Sequence, residues 1–408
     1  MKVVIAGGGI AALTAARAVR DASPDAKIDI FTDEPDRFYL RPRLIQFLAG
    51  ELEQEDLFVY SPQWYQDKGI ELHLSTPVVR LDTAGRIVTL EGGEDISYDR
   101  LLLAMGSHSF RPPLEGIDEK GVLTLRSIAD AVAIKTYAQE CLSEGRREAV
   151  VIGGGLMGLE CASALAALGL EVTVLQGGPW LLNRQIDAQG AAVLEGHLGR
   201  LGIRCLSGVI PEAILSRNGA AGVRLDGGRI VKGFLILCTA GVRANTDLAK
   251  AAGLSLGRGI LVDSEMRTSA DRVYAAGDVA EYDGEAWCII PAAVNQARVA
   301  AANIVDPGSM VYRGTVPSTT LKVVGVDLTS IGIIDGQPEG LEELRKTDHA
   351  RGVYRKVVLR DGRIVGAILL GSKERVPAMT SLIKEGTDVS FYSDRLLDDQ
   401  FDLAEALA

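Results

Sequence analysis

Two glycine-rich turns, each set between an apolar run and an Ala-rich helical pattern, constrain the fold of this chain more than any other feature. The first turn, residues 7–9, follows a β-branched run at the start of the chain. This order predicts a strand, a tight turn and a helix, the phosphate-binding start of a βαβ unit. Gly7 permits the turn, Gly9 lets the backbone approach a pyrophosphate, and Ala12 stands where a third glycine often packs the helix on the strand. Taken alone, the pattern can also be an incidental turn.

The second turn repeats this pattern with all three glycines, Gly153, Gly155 and Gly158, after the apolar run 149–152. A helical run follows it. The N-terminus of a helix offers unpaired N–H groups and partial positive charge to phosphates, so each unit is suited to a dinucleotide. Two such units predict two dinucleotide sites, against the alternative of two incidental turns.

The strands that follow the two helices end differently. The first ends in Asp33 and Glu34, before Pro35, and an acid at this point of a dinucleotide fold binds the adenosine ribose hydroxyls. The alternative is an acidic turn before a proline. The second strand ends in Gln176, which can bond a hydroxyl but cannot neutralise a phosphate. We therefore expect NADH rather than NADPH, with a smaller preference than an acid would give.

Length and charge restrict the classes of function. A chain of 408 residues is too long for one compact core, so two or three domains are expected. A net charge of −11 argues against nucleic acid or an anionic membrane as partner. Apolar runs of membrane-spanning length are absent from the sequence, and Met1 leads directly into the first predicted strand. We expect no signal peptide and a cytoplasmic protein.

The cysteines predict no disulfide framework. They are odd in number, widely spaced and embedded in apolar segments: Cys141, Cys161, Cys205, Cys238 and Cys288. Such residues are typical of a reduced core. The four histidines are scattered, so a metal site is not expected either.

Five motifs, taken in chain order, carry a resemblance over essentially the whole chain. They are residues 7–9, 103–106 (Leu-Ala-Met-Gly), 153–158, 241–243 (Gly-Val-Arg) and 274–278 (Tyr-Ala-Ala-Gly-Asp). In this order they resemble the FAD-dependent pyridine nucleotide-disulfide oxidoreductases, which include glutathione and ferredoxin reductases. Within that superfamily, residues 33–44 look like the NADH:rubredoxin reductases and the N-terminal flavoprotein part of nitrite reductase large subunits.

The resemblance implies an α/β fold with two Rossmann-like dinucleotide-binding domains, as in glutathione reductase, and a C-terminal α+β domain. The FAD-binding domain would comprise residues 1–108 and 242–314, and the NAD(P)H-binding domain residues 109–241. The C-terminal interface domain would comprise residues 315–408, where the sequence becomes strand-rich with a hairpin at Asp361-Gly362.

The resemblance also implies roles for individual residues. Arg41 and Pro42 would lie along the pyrophosphate and flavin, Val78 would meet the adenine through its backbone, and Arg126 would close over the cofactor. Asp278 would accept hydrogen bonds from the ribitol and pyrophosphate region, with an N-cap of the next helix as the alternative. Ile290 and Pro291 would open a helix at the pyrimidine edge of the flavin. The full predicted cofactor-binding set is Gly7, Gly9, Ala12, Asp33, Glu34, Arg41, Pro42, Val78, Arg126, Gly153, Gly155, Gly158, Gln176, Gly241, Gly277, Asp278, Ile290 and Pro291.

Two departures from the resemblance bear on the chemistry. Many relatives carry a lysine near flavin N5, paired with the carboxylate that corresponds to Glu160, the candidate catalytic residue; here that lysine position is Gln46. Disulfide reductases carry a cysteine pair soon after the first βαβ unit, but this sequence has no cysteine before Cys141. Thiol redox chemistry at the flavin is therefore not expected.

Three functions are compatible with these features. The favoured one transfers electrons from NADH through FAD to a small iron protein of the rubredoxin or ferredoxin type, docked at a rim that includes Trp287, Lys322 or Lys373. The second is an NADH oxidase that acts on oxygen or a small oxidant. The third is a flavin-bearing subunit of a larger redox complex, or a redox-responsive interaction protein with negligible turnover.

Overall fold

The computed structural model describes residues 1–217, 219–315, 318–323, 326–334 and 340–407, with the backbone alone over 318–323. The chain forms two compact units. Unit 1 comprises Met1–Leu44, Leu52–Phe110 and Val242–Thr315, and unit 2 comprises Ile45–Glu51, Arg111–Gly241 and Val316–Ala408. The predicted division into three domains stays a prediction.

The helices and strands are as follows. The helices are α1 Ile10–Ala22, α2 Leu44–Ala49, α3 Pro62–Asp67, α4 Ile128–Ser143, α5 Leu156–Ala167, α6 Ala188–Arg200, α7 Asp247–Ala251, α8 Ile290–Val305 and α9 Val376–Glu385. The strands are β1 Lys2–Ala6, β2 Lys27–Phe31, β3 Ile70–His73, β4 Val78–Asp82, β5 Ile87–Leu90, β6 Asp95–Ser97, β7 Arg100–Leu103, β8 Ser107–Ser109, β9 Val122–Leu123, β10 Glu148–Ile152, β11 Glu171–Gln176, β12 Arg204–Ser207, β13 Pro211–Ser216, β14 Ala220–Leu225, β15 Ile230–Lys232, β16 Leu235–Cys238, β17 Val242–Ala244, β18 Ile260–Leu261, β19 Val273–Ala275, β20 Ala280–Glu281, β21 Ser318–Val323, β22 Val326–Gly332, β23 Leu341–Asp348, β24 Val353–Arg360 and β25 Arg363–Leu370.

Unit 1 is built on a parallel five-stranded sheet in the order β19-β7-β1-β2-β3. Its central strands are continuous apolar runs because both faces are covered. On one face, Val3 and Ile5 pack with apolar residues of α1 and α8. On the other, Val4 packs with apolar residues of the antiparallel strands β4 and β5. The first glycine turn lies at the carboxyl end of β1, the edge where open α/β sheets bind ligands.

Unit 2 repeats this arrangement with the parallel order β12-β11-β10-β16-β9. Helix α5 packs on β10 and β11, and the antiparallel strands β13–β15 pack apolar residues on the opposite face. The second glycine turn lies between β10 and α5. The structure therefore confirms two Rossmann-like units, as predicted.

The C-terminal part of unit 2 is an antiparallel sheet in the order β21-β22-β25-β24-β23. The predicted hairpin at Asp361-Gly362 joins β24 to β25, and both residues have positive φ, 49° and 71°. Helix α9 and the residues after it bury an apolar cluster on this sheet. The part is thus of the predicted α+β type. Among the helices that the structure describes, none is both long and apolar enough to cross a membrane.

Candidate cofactor-binding site

The first glycine turn leaves the start of α1 open. Gly7 has φ +113°, and a Cβ there would collide with the carbonyl oxygen of Ala104, so no larger residue fits. Gly9 is the N-cap of α1; no side chain that the structure describes caps the helix, and a Cβ at Gly9 would meet nothing within 4 Å. The first turn of α1 contains no acid, and Ala12 is fully buried. This open N-terminus fits a pyrophosphate.

The acids at the end of β2 have different surroundings. Asp33 is exposed, whereas Glu34 is half-buried and accepts hydrogen bonds from Arg41 Nη2 at 2.6 Å and from the Tyr39 hydroxyl at 2.5 Å. Burial by itself lowers the pKa of Arg41, but Tyr39 and the carboxylates of Glu34 and Asp278 outweigh it and raise the pKa above its ordinary value. Arg41 therefore stays charged, as its predicted role beside a pyrophosphate requires.

Asp278 and the start of α8, which are predicted to contact the flavin, also lie in unit 1. The Ser107 hydroxyl donates to Asp278 Oδ2 at 2.7 Å, and Gly277, with φ +85°, donates its N–H to Gln296 Oε1 at 2.9 Å. The Cys288 thiol lies 3.9 Å from the Asp278 carbonyl oxygen, which brings the chain before α8 to Asp278.

Helix α8 begins at Ile290 with Pro291 in its first turn, as predicted, and no described side chain caps it. Val78 is the first residue of β4 and pairs with Leu90 of β5, so it lies at one end of this antiparallel strand pair. Ile290, Pro291 and Val78 all belong to unit 1, together with the glycine turn.

In unit 2 the second glycine turn has the same open geometry. Gly153 has φ +120°, and a Cβ there would lie 2.6 Å from the Thr239 carbonyl oxygen. Gly155 occupies the N-cap position of α5, and a Cβ there would meet nothing within 4 Å. No described side chain accepts a hydrogen bond from the start of this helix. A Cβ at Gly158 would collide with the Gly153 carbonyl oxygen, which explains why the helix needs glycine there. Glu160 is half-buried, two residues further along α5.

Gln176 is held firmly at the end of β11. Its Oε1 accepts from the Gly154 N–H at 3.0 Å, and its Nε2 donates to the Trp180 carbonyl oxygen and to Asn183 Oδ1, both at 3.2 Å. The side chain therefore joins the glycine turn to the loop after β11. In dinucleotide-binding folds, the residue at the end of this strand contacts the ribose of a nucleotide bound at the glycine turn.

Arg126 and Gly241 also lie in unit 2. The backbone N–H of Arg126 donates to Asp130 Oδ2 at 2.8 Å, which fixes Arg126 two residues before α4. Gly241 has φ +99° and is the last residue of unit 2 before the chain enters unit 1 at Val242. Unit 1 thus gathers most of the predicted FAD residues, and unit 2 gathers the second glycine turn, Gln176, Arg126 and Gly241.

Sequence reasoning missed Ser107 and Gln296. Ser107 directly follows the Leu-Ala-Met-Gly motif, and Gln296 lies on α8 six residues after Ile290. Their partners, Asp278 and Gly277, are 171 and 19 residues away in the sequence, so only the fold brings them together.

Comparison with known proteins identifies the family. Residues 1–303 match the profile described as pyridine nucleotide-disulphide oxidoreductase. The chain belongs to this family. Membership implies the binding of FAD and of NAD(P)H. In addition, residues 317–387 match the profile described as the C-terminal domain of rubredoxin NAD+ reductase.

Several relatives of this oxidoreductase are similar over most of the chain. Nitrite reductase [NAD(P)H] of Bacillus subtilis is 33% identical over 390 residues, which are 95% of this chain and 48% of the relative. NADH-rubredoxin oxidoreductase of Clostridium acetobutylicum is 30% identical, with 91% of each chain covered. The structure resembles the ferredoxin reductase for the CYP199A2 system from Rhodopseudomonas palustris, with a TM-score of 0.88, 26% identity and 100% of both chains covered. The chain spans only about half the length of the nitrite reductase.

Proposed function

We propose that this oxidoreductase transfers electrons from NADH, through FAD, to a small iron protein of the rubredoxin or ferredoxin type. The observation that carries the proposal is the pair of open glycine turns in two parallel-sheet units, each at the start of a helix that no described side chain caps. The match of residues 317–387 to a rubredoxin reductase C-terminal domain supports the acceptor class. The names of the Clostridium and Rhodopseudomonas relatives support it as well.

The residues of unit 1 have a defined task in this function. The N–H groups at the start of α1 and the charged Arg41 bind the FAD pyrophosphate, with Pro42 beside it, and Ser107 holds the Asp278 carboxylate in one orientation. The start of α8 places a partial positive charge at the pyrimidine edge of the cofactor. FAD, when bound, supplies the redox chemistry that links a hydride donor to a one-electron acceptor.

The residues of unit 2 bind and orient the nicotinamide nucleotide. The open start of α5 binds its pyrophosphate, and the glycines let the backbone approach it closely. Gln176, held by three hydrogen bonds, offers a neutral amide to the ribose. A neutral amide leaves a 2′-phosphate without charge compensation, so we propose NADH as the preferred donor.

Thiols take no part in the proposed electron path. Among the residues that the structure describes, the five cysteines form no disulfide. Burial raises the pKa of Cys205 to about 12 and that of Cys238 to about 11, and it also raises the pKa values of Cys141 and Cys161. These four thiols stay protonated near neutral pH and are therefore poor nucleophiles.

The three-domain division is part of the proposal. Residues 1–108 with 242–314 bind FAD, 109–241 bind NADH, and 315–408 contribute to the docking of the acceptor. Of the proposed rim residues, Trp287 is partly buried in unit 1 and Lys373 is exposed in unit 2. The side chain of Lys322 lies outside the described residues.

Stopped-flow reoxidation of the NADH-reduced protein tests the function. We expect fast reoxidation by rubredoxin or ferredoxin and slow reoxidation by oxygen. Fast NADH consumption with oxygen alone would instead identify an oxidase. A reduced flavin that neither iron protein nor oxygen reoxidises would favour a subunit of a larger redox complex.

A further inference from the structure

Three potential metal ligands meet at the edge of the sheet in unit 1. Asp29 on β2 lies directly opposite Glu71 on the parallel edge strand β3, and His73 follows two residues later on the same face. One ligand atom from each side chain lies within 4.8 Å of the other two. The proposed dinucleotide sites use none of these residues.

Asp29 is the member of the cluster that requires a counter-charge. Its side chain is only 4% exposed, and its Oδ2 accepts no hydrogen bond from any residue that the structure describes. Burying a carboxylate is costly unless a cation or hydrogen bonds compensate it. The nearby Lys27 ammonium pairs with Glu71, at 3.9 Å, in an exposed contact.

His73 is oriented to bind a metal together with Asp29. Its ring stacks on Phe31, with centroids 4.4 Å apart and an interplanar angle of 13°. Its Nε2 lies 3.4 Å from Asp29 Oδ1 and 3.9 Å from Glu71 Oε2. Zinc–ligand bonds of about 2.0–2.2 Å place neighbouring ligand atoms of a tetrahedron about 3.4 Å apart. The first distance matches this value, and Glu71, whose side chain is 58% exposed, can move to match it as well.

The cluster is accessible from solvent. The side chains of His73 and Glu71 are 37% and 58% exposed. Solvent water can therefore complete the coordination of an ion that the protein holds through three side chains.

We propose that Asp29, Glu71 and His73 form a binding site for one Zn²⁺-like divalent cation. An imidazole nitrogen with two carboxylate oxygens suits Zn²⁺ better than Mg²⁺ or Ca²⁺, which prefer ligand sets made of oxygen. The ion neutralises the buried Asp29 and links β2 to the edge strand β3. This proposal revises the sequence-based expectation that the chain has no metal site.

Calorimetric titration of the FAD-loaded protein with ZnCl₂ tests the site. We expect one saturable equivalent in the wild type, and binding at least about tenfold weaker in Asp29→Asn and in His73→Gln. His73→Gln changes a partly exposed side chain, so it provides a folded variant if Asp29→Asn is unstable. The matched control His349→Gln, at an exposed position in unit 2, should bind Zn²⁺ like the wild type.

Thermal unfolding gives an independent measurement. An ion that binds only the folded state raises the melting temperature, so ZnCl₂ should stabilise the wild type and His349→Gln but not His73→Gln. If the wild type and His73→Gln bind the same number of Zn²⁺ equivalents with the same affinity, the site does not exist. An equal thermal shift in wild type and His73→Gln would also overturn the proposal, because the ion would then bind elsewhere.

Discussion

The Ser107 hydroxyl donates a 2.7 Å hydrogen bond to Asp278 Oδ2 and so joins the segment that follows β7 to the segment that follows β19. These two strands are neighbours in the parallel sheet of unit 1, although their ends are far apart in the sequence. The hydrogen bond fixes the orientation of the carboxylate at the carboxyl edge of the sheet. Asp278 is therefore prepared to contact a ligand at that edge.

Replacement of Asp278 tests its proposed role in FAD binding. We expect the purified protein to carry one non-covalent FAD per chain, and Asp278→Ala to weaken FAD binding at least about tenfold, or about 1.4 kcal/mol. Ser107→Ala removes the orienting hydrogen bond and should weaken binding by about fivefold, or about 1 kcal/mol. Fluorescence titration of the apoprotein with FAD measures both changes.

The control for this experiment is Asp271→Ala, which removes an exposed carboxylate seven residues before Asp278. Its FAD affinity should equal that of the wild type. If Asp278→Ala retained flavin as fully as the control, Asp278 would not belong to the cofactor site.

A second prediction concerns the cysteine nearest to the proposed flavin site. Cys288 lies next to the Asp278 backbone, yet the proposed electron path uses no thiol. Cys288→Ser should therefore keep NADH-dependent flavin reduction and acceptor turnover within about twofold of the wild type. Cys161→Ala, at a fully buried position, should cost about 1–3 kcal/mol of stability and leave turnover equally unaffected. A folded, FAD-loaded Cys288→Ser without activity would contradict the proposed path.

The local features of the fold could be predicted from the sequence because strand, turn and helix follow one another within a few residues. The positive φ of Gly7 and of Gly153 was implied by the short distance between an apolar run and a helical pattern. Contacts between residues on different strands could not be predicted in this way, because they depend on the order of the strands in the sheet. Asp29 and His73 are 44 residues apart, and their contact requires β2 and β3 to be neighbours.

A longer-range case joins α6 to the C-terminal sheet. The Tyr354 hydroxyl donates to Asp187 Oδ2 at 2.7 Å across 167 residues, and Asp187 also caps α6 through the Gly190 N–H. The cap could be predicted from an acid at the start of a helical run. The partner on β24 could not, because the alternation of apolar residues in a strand fixes its faces but not the surface on which it packs.

Acid stability provides a third prediction, at Asp399. Hydrogen bonds from Lys346 and from the buried Arg355 lower the pKa of this carboxyl to about 2, from an ordinary value of 3.8. A lowered pKa in the folded state means that the charged carboxylate stabilises the fold above pH 4. This contribution is lost as the pH falls from about 4 to about 2.

Thermal unfolding of Asp399→Asn measures this contribution. The variant should melt below the wild type at pH 7, because Arg355 loses its charged partner, and the two should converge as the pH approaches 2. Asp394→Asn, at an exposed position in the same C-terminal segment, is the control and should melt like the wild type at pH 7. A difference between Asp399→Asn and wild type that stays constant from pH 7 to pH 2 would contradict the assignment.

The last prediction concerns the choice between the two nicotinamide nucleotides. Gln176 Oε1 accepts from the Gly154 N–H, so a glutamate at this position can keep that bond while adding a negative charge at the proposed ribose site. Gln176→Glu should therefore repel the 2′-phosphate and sharpen the preference for NADH, which we expect to be about tenfold, or about 1.4 kcal/mol, in the wild type. Gln176→Arg supplies the missing cation and should narrow or invert the preference.

Rates of flavin reduction by NADH and NADPH in the three proteins decide between these outcomes. The matched control is Gln185→Glu, which adds the same charge in the loop after β11 without changing the residue at the end of the strand. Its preference should match that of the wild type if the residue at the strand end, and not charge in the loop, sets the preference. A wild type that prefers NADPH would require a cation from elsewhere in the fold to reach this position. An equal effect of both glutamate variants would mean that long-range charge, and not contact with Gln176, sets the preference.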